Sequence, residues 1–307
     1  MKRREMLLST GAALVGLSAF PLRWAAAAEK KKKILYFTLS YGFEHSPVAR
    51  KGQDLSYSEK LMIEEGKKHD VEVVCSKDGT VFDGDLEQFD AFAFYTCGDL
   101  TKPDGKHEGK PMSADGKKRL LDAVHGGKGF VAFHSGADTF HSKGPADENQ
   151  TELDPYIAMV GGEFIVHGSQ QKAKMGLASP KFPGCEDLGD GFDLLEEWYA
   201  LKNFAKDLHV ILVQETKGMH DWCYQRPPFP ATWARPYGKG RVFYTSLGHR
   251  EDVWTNPACQ QVILGGFSWV LKEADADVTP NVEKVTPKAW ELPKRPIDKK
   301  PKQAKKK

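Results

Sequence analysis

Several histidines in this chain directly follow hydrophobic segments. The stretch "GGKGFVAFHSGADTF", residues 126–140, contains an apolar run that ends at Phe133 and is followed by His134 and Ser135. His167 and His249 follow other hydrophobic segments directly, and His45 lies five residues after the segment 33–40. Histidine changes charge near neutral pH and is also a common metal ligand. The pattern predicts that these four of the ten histidines share one site for proton transfer or metal binding.

The segment "LLEEWYAL" adds a second group of reactive side chains. If it is a β-strand, Glu197 and Tyr199 point to one face, while Glu196 and Trp198 point to the other. A carboxylate beside a phenol can bind hydroxyl groups or a metal, or take part in proton transfer. The alternative is an edge strand with a solvated acidic face.

The segment "GHRED" also has two interpretations. In the first, His249 and Glu251 face the site as a base and the residue that orients it. In the second, Arg250, Glu251 and Asp252 form a solvated turn held by ion pairs. The Pro-rich segment at 225–233 that precedes it is predicted to be a surface loop.

The candidate histidines and glutamates can meet only if strands and helices bring them together. Apolar segments at 33–40, 71–76, 89–98 and 129–136 alternate with helical patterns at 56–69 and 113–127, and a helix at 258–273 closes the body. Such alternation indicates βαβ units around a parallel sheet covered on both faces. The strands in the middle of the chain alternate more and suggest an antiparallel extension. We therefore predict a three-layer, flavodoxin-like α/β fold with a mostly parallel sheet and added β-structure.

Open α/β sheets bind ligands outside the carboxyl ends of their strands, where the four histidines are expected to meet. We assign His134 and His249 as base and acid, and Glu197 as an orienting residue or metal ligand. The predicted substrate-binding residues are His45, Thr96, Ser135, His167, Tyr199, Trp233, Arg250 and Glu251. Histidines and carboxylates together also suit a divalent metal such as zinc, which is the alternative to purely acid–base chemistry. No compact metal-binding motif such as H-E-x-x-H is present, and the sequence therefore assigns no cofactor.

The two ends of the chain differ from its body. Residues 1–28 combine Lys2, Arg3 and Arg4 with a short apolar run and a final group of alanines. This is the pattern of a twin-arginine export signal, and the run is too short for a spanning helix. We expect cleavage near Ala28, a periplasmic or secreted protein, and no stable membrane anchor afterwards. The α/β domain is predicted at 29–275 and a disordered, Pro/Lys-rich tail at 276–307.

Charge and cysteine content narrow the range of functions. The chain has 44 basic and 42 acidic residues, and the signal and the tail from Lys294 account for 12 basic and 2 acidic ones. The remaining 32 basic and 40 acidic residues give the body a net charge of −8, which argues against nucleic-acid binding. Five scattered cysteines without a CxxC pair exclude a zinc ribbon, and a Cys185–Cys223 disulfide is conceivable. The oligomeric state is not indicated.

Five segments occur in the order typical of the trehalose-utilisation (ThuA-like) family: "GGKGFVAFHSG", "GGEFIVHG", "EEWY", "TWARPYGKGRVFYTSLGHRED" and "ILGGFSWVL". The chain resembles this family from Lys33 to about Lys272. The resemblance implies a fold similar to class I glutamine amidotransferases, which carry a nucleophilic cysteine on a tight turn after a central strand. Here that turn carries His134 and Ser135, so amidotransferase chemistry is excluded. Where many relatives have a His-Pro pair, this chain has Ser179-Pro180.

The resemblance also implies a role in carbohydrate metabolism. We expect an exported enzyme that acts on a glycoside or a 3-keto-sugar, by His/Glu acid–base or metal-assisted chemistry. Tyr199 and Trp233 would hold the sugar, with the indole stacked on its apolar face. The alternative is a non-catalytic protein that binds a carbohydrate or a partner in the pocket of an ancestral enzyme.

Overall fold

The computed structural model describes residues 31–296, so the predicted export signal and residues 297–307 of the predicted tail lie outside the described residues. The strands are β1 (Lys32–Phe37), β2 (Val71–Ser76), β3 (Ala91–Phe94), β4 (Gly129–Phe133), β5 (Glu163–His167), β6 (Gln171–Leu177), β7 (Gly191–Glu196), β8 (Tyr199–Lys202), β9 (His209–Gln214), β10 (Phe229–Tyr237) and β11 (Gly240–Thr245). The helices are α1 (Tyr57–Lys68), α2 (Ala114–Gly126), α3 (Pro155–Val160), α4 (Pro257–Val270) and α5 (Val282–Val285). None of the described helices combines the length and apolar character needed to cross a membrane.

A nine-stranded sheet organises the molecule, in the order β2-β1-β3-β4-β11-β10-β9-β6-β7. The strands from β2 to β11 pair in parallel, and those from β11 to β7 pair antiparallel. Strands β5 and β8 form a separate two-stranded sheet. The α/β class and the antiparallel extension are confirmed. The prediction of a mostly parallel sheet was wrong, because half of the pairings in this mixed sheet are antiparallel.

The parallel strands are apolar throughout because both of their faces are covered. All residues of β3 and β4 are buried. On one face the core includes Met62 of α1 and Val262 of α4, and on the other it includes Leu120 of α2 and Ile157 of α3. Strand β4 lies near the centre of the sheet, between β3 and β11. The site forms at its carboxyl end.

Capping residues mark the helix boundaries. Helix α2 begins after Ser113, whose hydroxyl accepts a hydrogen bond from the Gly116 amide, and it ends at Gly127 with φ +131°. Helix α1 begins with a capping box formed by Ser56 and Glu59. The Glu59 carboxylate is fully buried and also accepts two hydrogen bonds from Arg50, at 2.8 and 2.9 Å. The Arg50–Glu59 pair thus ties the loop after β1 to the start of α1.

Replacing Arg50 by alanine is expected to lower the free energy of unfolding by about 3 kcal/mol, because a buried carboxylate then loses its cationic partner. Urea denaturation followed by circular dichroism measures the change. Arg119→Ala is the control, since Arg119 bonds only the Gly84 carbonyl at the surface and should change stability by less than about 0.5 kcal/mol. Equal effects of the two substitutions would contradict this account.

Two local predictions differ from the structure, and one pairing that the sequence left open is not formed. "LLEEWYAL" forms two strands, β7 and β8, with a break at Glu197 and Trp198. The segment predicted as a Pro-rich loop contains the start of β10, where register shifts next to Pro230 accommodate the missing amide donor. All five cysteines are free, so Cys185 and Cys223 form no disulfide in the structure.

The prediction that the whole of 276–307 is disordered was wrong for residues 276–296. Val282 and Ala289 are buried, and the Trp290 indole donates a hydrogen bond to the Phe204 carbonyl at 2.9 Å. The side chain of Asn281 accepts a hydrogen bond from the Val210 amide of β9. Composition suggested too little apolar surface, but these few anchors hold the segment against the sheet.

Candidate functional site

His134 lies on a strained turn at the carboxyl end of β4. Its φ is +39°, a left-handed value that is uncommon for a residue with a side chain and that persists only where surrounding contacts enforce it. Its Nδ1 lies 2.9 Å from the Ser246 carbonyl, and its own carbonyl accepts a hydrogen bond from the Tyr244 hydroxyl at 3.0 Å. Because Nδ1–H donates to a carbonyl, Nε2 carries the lone pair. The turn therefore presents a fixed imidazole with a defined tautomer.

Four side chains meet at this turn: His45, His134, Glu197 and His249, here called the His–Glu cluster. One nitrogen or oxygen of each lies within 4.8 Å of the others. The Glu197 Oε2 atom lies 2.9 Å from His249 Nδ1 and 3.5 Å from His134 Nε2. The His45 ring centroid lies 4.9 Å from that of His134 and 5.2 Å from that of His249. The predicted convergence of these residues is thus present.

Strand ends carry each member of the cluster to this edge of the sheet. His45 lies in the loop after β1, His134 follows β4, Glu197 follows β7, and His249 follows β11. All but His249 are buried, and the His249 side chain is 18% exposed. The cluster is therefore closed on the side of the sheet and reaches solvent through His249.

Burial sets the protonation of the cluster. It lowers the pKa of His45 to about 2, assisted by the neighbouring His134 and His249, and it also lowers the pKa of His134. For Glu197, burial opposes ionisation, but contacts with His134 and His249 outweigh it and hold the pKa below its ordinary value. At neutral pH the cluster thus combines an ionised carboxylate with neutral imidazoles at His45 and His134, which offer lone pairs.

Tyr199 and His167 complete the wall of the cluster. The Tyr199 ring centroid lies 3.9 Å from that of His134, and its hydroxyl lies 3.3 Å from His45 Nε2. Burial raises the pKa of Tyr199 well above its ordinary value, so its hydroxyl stays a proton donor. His167 is half exposed, and its Nδ1 lies 3.2 Å from Glu197 Oε1. His167 therefore connects the carboxylate to solvent.

A family model described as "ThuA: Trehalose utilisation" matches residues 33–270. This chain belongs to the ThuA family. The resemblance seen in the sequence is thereby confirmed, and trehalose utilisation points to carbohydrate metabolism.

Solved structures show the same fold for this ThuA-family chain. A ThuA-like protein from Bacteroides uniformis has a TM-score of 0.58 at 15% identity, covering 82% of this chain and 95% of that one. A ThuA-like protein from Parabacteroides merdae has a TM-score of 0.53 at 16% identity, with the same coverages of 82% and 95%. Comparison with curated proteins gives no significant match. At these identities the likeness establishes the fold alone.

Two predicted sugar-binding residues of this ThuA-family chain lie in the interior. Trp233 is fully buried, its indole donates to the Val160 carbonyl at 2.8 Å, and its ring stacks on Tyr244. Thr96 is buried and shares a hydrogen bond with Thr139. Neither presents a surface to a sugar, so both assignments were wrong. Ser135 is also fully buried, and its hydroxyl has no hydrogen-bond partner among the described residues.

The "GHRED" segment divides between the cluster and its rim. His249 joins the cluster, whereas Arg250 forms a two-pronged ion pair with Asp252 at 2.9 Å. Glu251 contacts the Ser46 hydroxyl at 3.3 Å, and the carboxylate that contacts His249 is Glu197. The proposed role of Glu251 in orienting His249 was therefore wrong. With Ser46, Gln170, His249 and Asp252, the Arg250 and Glu251 side chains line an open pocket of about 420 Å³ beside the cluster.

Glu196 has a structural role that the sequence did not reveal. It is fully buried and accepts hydrogen bonds from the Gly248 amide at 3.1 Å and the Glu197 amide at 2.7 Å. Burial raises its pKa to about 7. Strand alternation placed Glu196 on the face opposite Glu197, but the break after β7 turns both toward the loop that carries His249. In the sequence, the only indication of this role was that Glu196 directly precedes Glu197.

A second histidine–carboxylate group lies at the same edge of the sheet. The His141 side chain contacts Asp138 at 2.5 Å and Glu163 at 3.1 Å. Hydrogen bonds to Asp138 and Glu163 raise the pKa of His141 to about 9. A histidine whose pKa is raised on folding stabilises the fold fully below its unfolded pKa of about 6.5, and that contribution disappears as pH rises to about 9.

We expect His141→Gln to flatten the pH dependence of stability between pH 6.5 and 9. The wild type should lose roughly 1 kcal/mol over this range, a small amount because the His141 side chain is 45% exposed. Thermal unfolding at a series of pH values measures this slope. A variant that keeps the wild-type slope would show that His141 does not cause it.

Proposed function

We propose that this ThuA-family chain is an exported enzyme of carbohydrate metabolism that acts on a glycoside or a 3-keto-sugar at the His–Glu cluster. The observation that carries the proposal is the convergence of imidazoles and an ionised carboxylate at the carboxyl edge of the sheet, where α/β folds bind their ligands. The basic, alanine-ended N-terminal sequence supports export to the periplasm or beyond. The family's association with trehalose utilisation supports a small-molecule carbohydrate as substrate.

The cluster fits chemistry that removes a proton beside a carbonyl group or activates an oxygen nucleophile. Both reactions need a group with a free electron pair next to the substrate and a donor for the oxygen that gains negative charge. His134 offers a lone pair at Nε2, and the Glu197 carboxylate beside it would stabilise the imidazolium formed on protonation. The Tyr199 hydroxyl keeps its proton and is the nearest neutral donor. His249 reaches solvent and can return a proton as the acid.

Pure sugar binding would need a different set of side chains. Amides and aromatic rings serve that purpose, whereas buried neutral imidazoles around a carboxylate are costly to maintain and are typical of reactive centres. The non-catalytic alternative therefore has less support from the geometry than an enzyme has.

Turnover of 3-keto-glucosides and the corresponding glucosides tests this function. Product should form with the wild type and fall at least about 100-fold in His134→Asn, where asparagine accepts the left-handed backbone of the turn. His69→Gln is the matched control, since His69 lies at the carboxyl end of α1 and contacts Glu65. Tight binding of either sugar without any product would show a binding protein instead.

Phe43 is a candidate sugar-binding residue, because its large apolar side chain is 58% exposed. Its ring packs edge-on against His45, with centroids 4.7 Å apart. We expect Phe43 to stack on the apolar face of a sugar entering the cluster. Phe43→Ala should raise KM about 5-fold with little change in kcat, and Phe43→Tyr should retain the wild-type KM. An unchanged KM in the alanine variant would remove Phe43 from the binding surface.

A further inference from the structure

We infer that His45, His134, His249 and Glu197 together bind one divalent transition-metal cation of the zinc class. This inference deepens the proposed function, on which it rests only for what the cation does to a sugar. The binding site itself is argued from four side chains and needs no assumption about turnover.

The types of donor atom favour such a cation. Imidazole nitrogens suit zinc, copper, iron and nickel, and a set of several histidines with one carboxylate is typical of catalytic zinc sites and related centres. Calcium and magnesium instead prefer a shell made of oxygen atoms. Three nitrogen donors and one carboxylate therefore indicate a transition metal.

The spacing of the donors fits one ion. Two ligands at about 2.1 Å from a tetrahedral zinc lie roughly 3.4 Å apart. Glu197 Oε2 lies 2.9 Å from His249 Nδ1 and 3.5 Å from His134 Nε2, on either side of that value. All four donors lie within 4.8 Å of one another, so small side-chain rotations would bring the widest pair to coordination distance.

The donor nitrogens have no competing partner. His45 Nδ1 is buried and makes no hydrogen bond among the described residues, and the buried His134 Nε2 and His249 Nδ1 have no polar contact there except with the Glu197 carboxylate. Buried polar atoms without a hydrogen bond are rare and call for an explanation, of which a missing ion is one. A cation bound by these three imidazoles and the Glu197 carboxylate would account for this arrangement.

Neighbouring groups hold the ligands in the orientation that a metal requires. The opposite nitrogen of His134 donates to the Ser246 carbonyl, and the opposite nitrogen of His45 lies 3.3 Å from the Tyr199 hydroxyl. The second oxygen of Glu197 lies 3.2 Å from His167 Nδ1. Metal-binding histidines are regularly oriented in this way through their second nitrogen.

Charge gives an independent argument. Among residues 31–296, Glu197 pairs with no lysine or arginine, and its only ionic partners are histidines. A buried carboxylate is stable when it is paired with a cation or coordinates a metal. Because no lysine or arginine fills this role among the described residues, a cation bound by the cluster would supply the missing partner charge.

A cation here would polarise a carbonyl oxygen or lower the pKa of a bound water. The role of His134 then changes from base to ligand. His167, half exposed and in contact with Glu197, becomes the group that carries protons between the cluster and solvent.

Metal binding by the full chain tests the inference. Protein purified without chelator or nickel affinity resin is analysed for metal content, then stripped and titrated with Zn²⁺ by calorimetry and with Co²⁺ by visible absorption. We expect about one equivalent of either ion and the absorption bands of nitrogen-ligated Co²⁺. Glu197→Gln and His45→Asn should each weaken Zn²⁺ binding at least about 100-fold, and His69→Gln, at the carboxyl end of α1, should bind as the wild type does.

Two results would overturn the inference: stripped wild type that takes up less than a tenth of an equivalent of Zn²⁺, or stoichiometric binding that persists in both cluster variants. Circular dichroism checks that each variant is folded. If one variant is unfolded, the inference is judged from the wild-type Co²⁺ spectrum and from the other variant. The proposed enzymatic function can be refuted independently of the metal site. Metal-loaded protein without sugar turnover would refute the enzyme but not the site, and sugar turnover by a wild type that takes up no Zn²⁺ would refute the site but not the enzyme.

Discussion

Replacing Glu197 by glutamine is expected to lower kcat/KM for the sugar substrate about 1000-fold while the protein stays folded. Glutamine keeps the shape of the side chain but removes its negative charge. In a metal-free site this leaves the imidazolium at His134 without a stabilising partner, and in a metal-loaded site it removes the only anionic ligand of the cluster. Both arrangements therefore predict a large loss, measured by steady-state kinetics on the substrate that the wild type converts.

A suitable control for Glu197 is a second carboxylate at the same edge of the sheet. Glu251→Gln alters the rim, where Glu251 contacts Ser46, and should change kcat/KM by less than about 10-fold. Circular dichroism and the urea midpoint of Glu197→Gln should remain close to those of the wild type. If Glu197→Gln kept nearly full activity, the carboxylate would not be needed for catalysis, and the His–Glu cluster would not be the active site.

Trp233→Ala is expected to lower the free energy of unfolding by 3–5 kcal/mol, the cost of truncating a large buried aromatic side chain (roughly this range). Trp233 is fully buried between Tyr244, at a centroid distance of 4.3 Å, and Phe204, at 5.9 Å. Truncation would leave a cavity and would remove the donor from the Val160 carbonyl. Urea denaturation measures the loss.

The milder Trp233→Phe variant separates stability from binding. It should be less stable than the wild type but keep the same KM, because Trp233 does not reach the cluster. Trp222→Ala is the matched control, since Trp222 is only half-buried and should cost about 1 kcal/mol. A raised KM in folded Trp233→Phe would restore the sugar-stacking role suggested by the sequence.

The location of the cluster could be predicted because it depends on strong local signals. The apolar run before His134 identifies β4 as a central strand, and the carboxyl edge of such a sheet is where ligands bind. Ser113 and Gly127 mark the ends of α2 by cap chemistry that needs no knowledge of the rest of the fold. His134 directly follows its strand, and His45 and His249 lie in the loops at the carboxyl ends of theirs. The strand pattern therefore sufficed to predict the positions of all three.

The remaining features depend on contacts between distant segments. The residues of β6 alternate, but lysine, alanine and glycine have low β-propensity, so its strand character comes from pairing with β7 and β9. Trp233 was assigned to the site because indoles stack on sugars, and nothing in its neighbourhood indicated that it faces α3. Glu196 was placed by regular alternation, which the break at Glu197 interrupts.

The position of β11 between β4 and β10 has a consequence for synthesis on the ribosome. Until β11 emerges, the parallel half of the sheet with His45 and His134 and the antiparallel half with Glu197 have no shared strand. A nascent chain that ends before residue 240 therefore holds the pieces of the centre without assembling them. We therefore expect the His–Glu cluster to assemble only after β11 and the loop that carries His249 have left the ribosome.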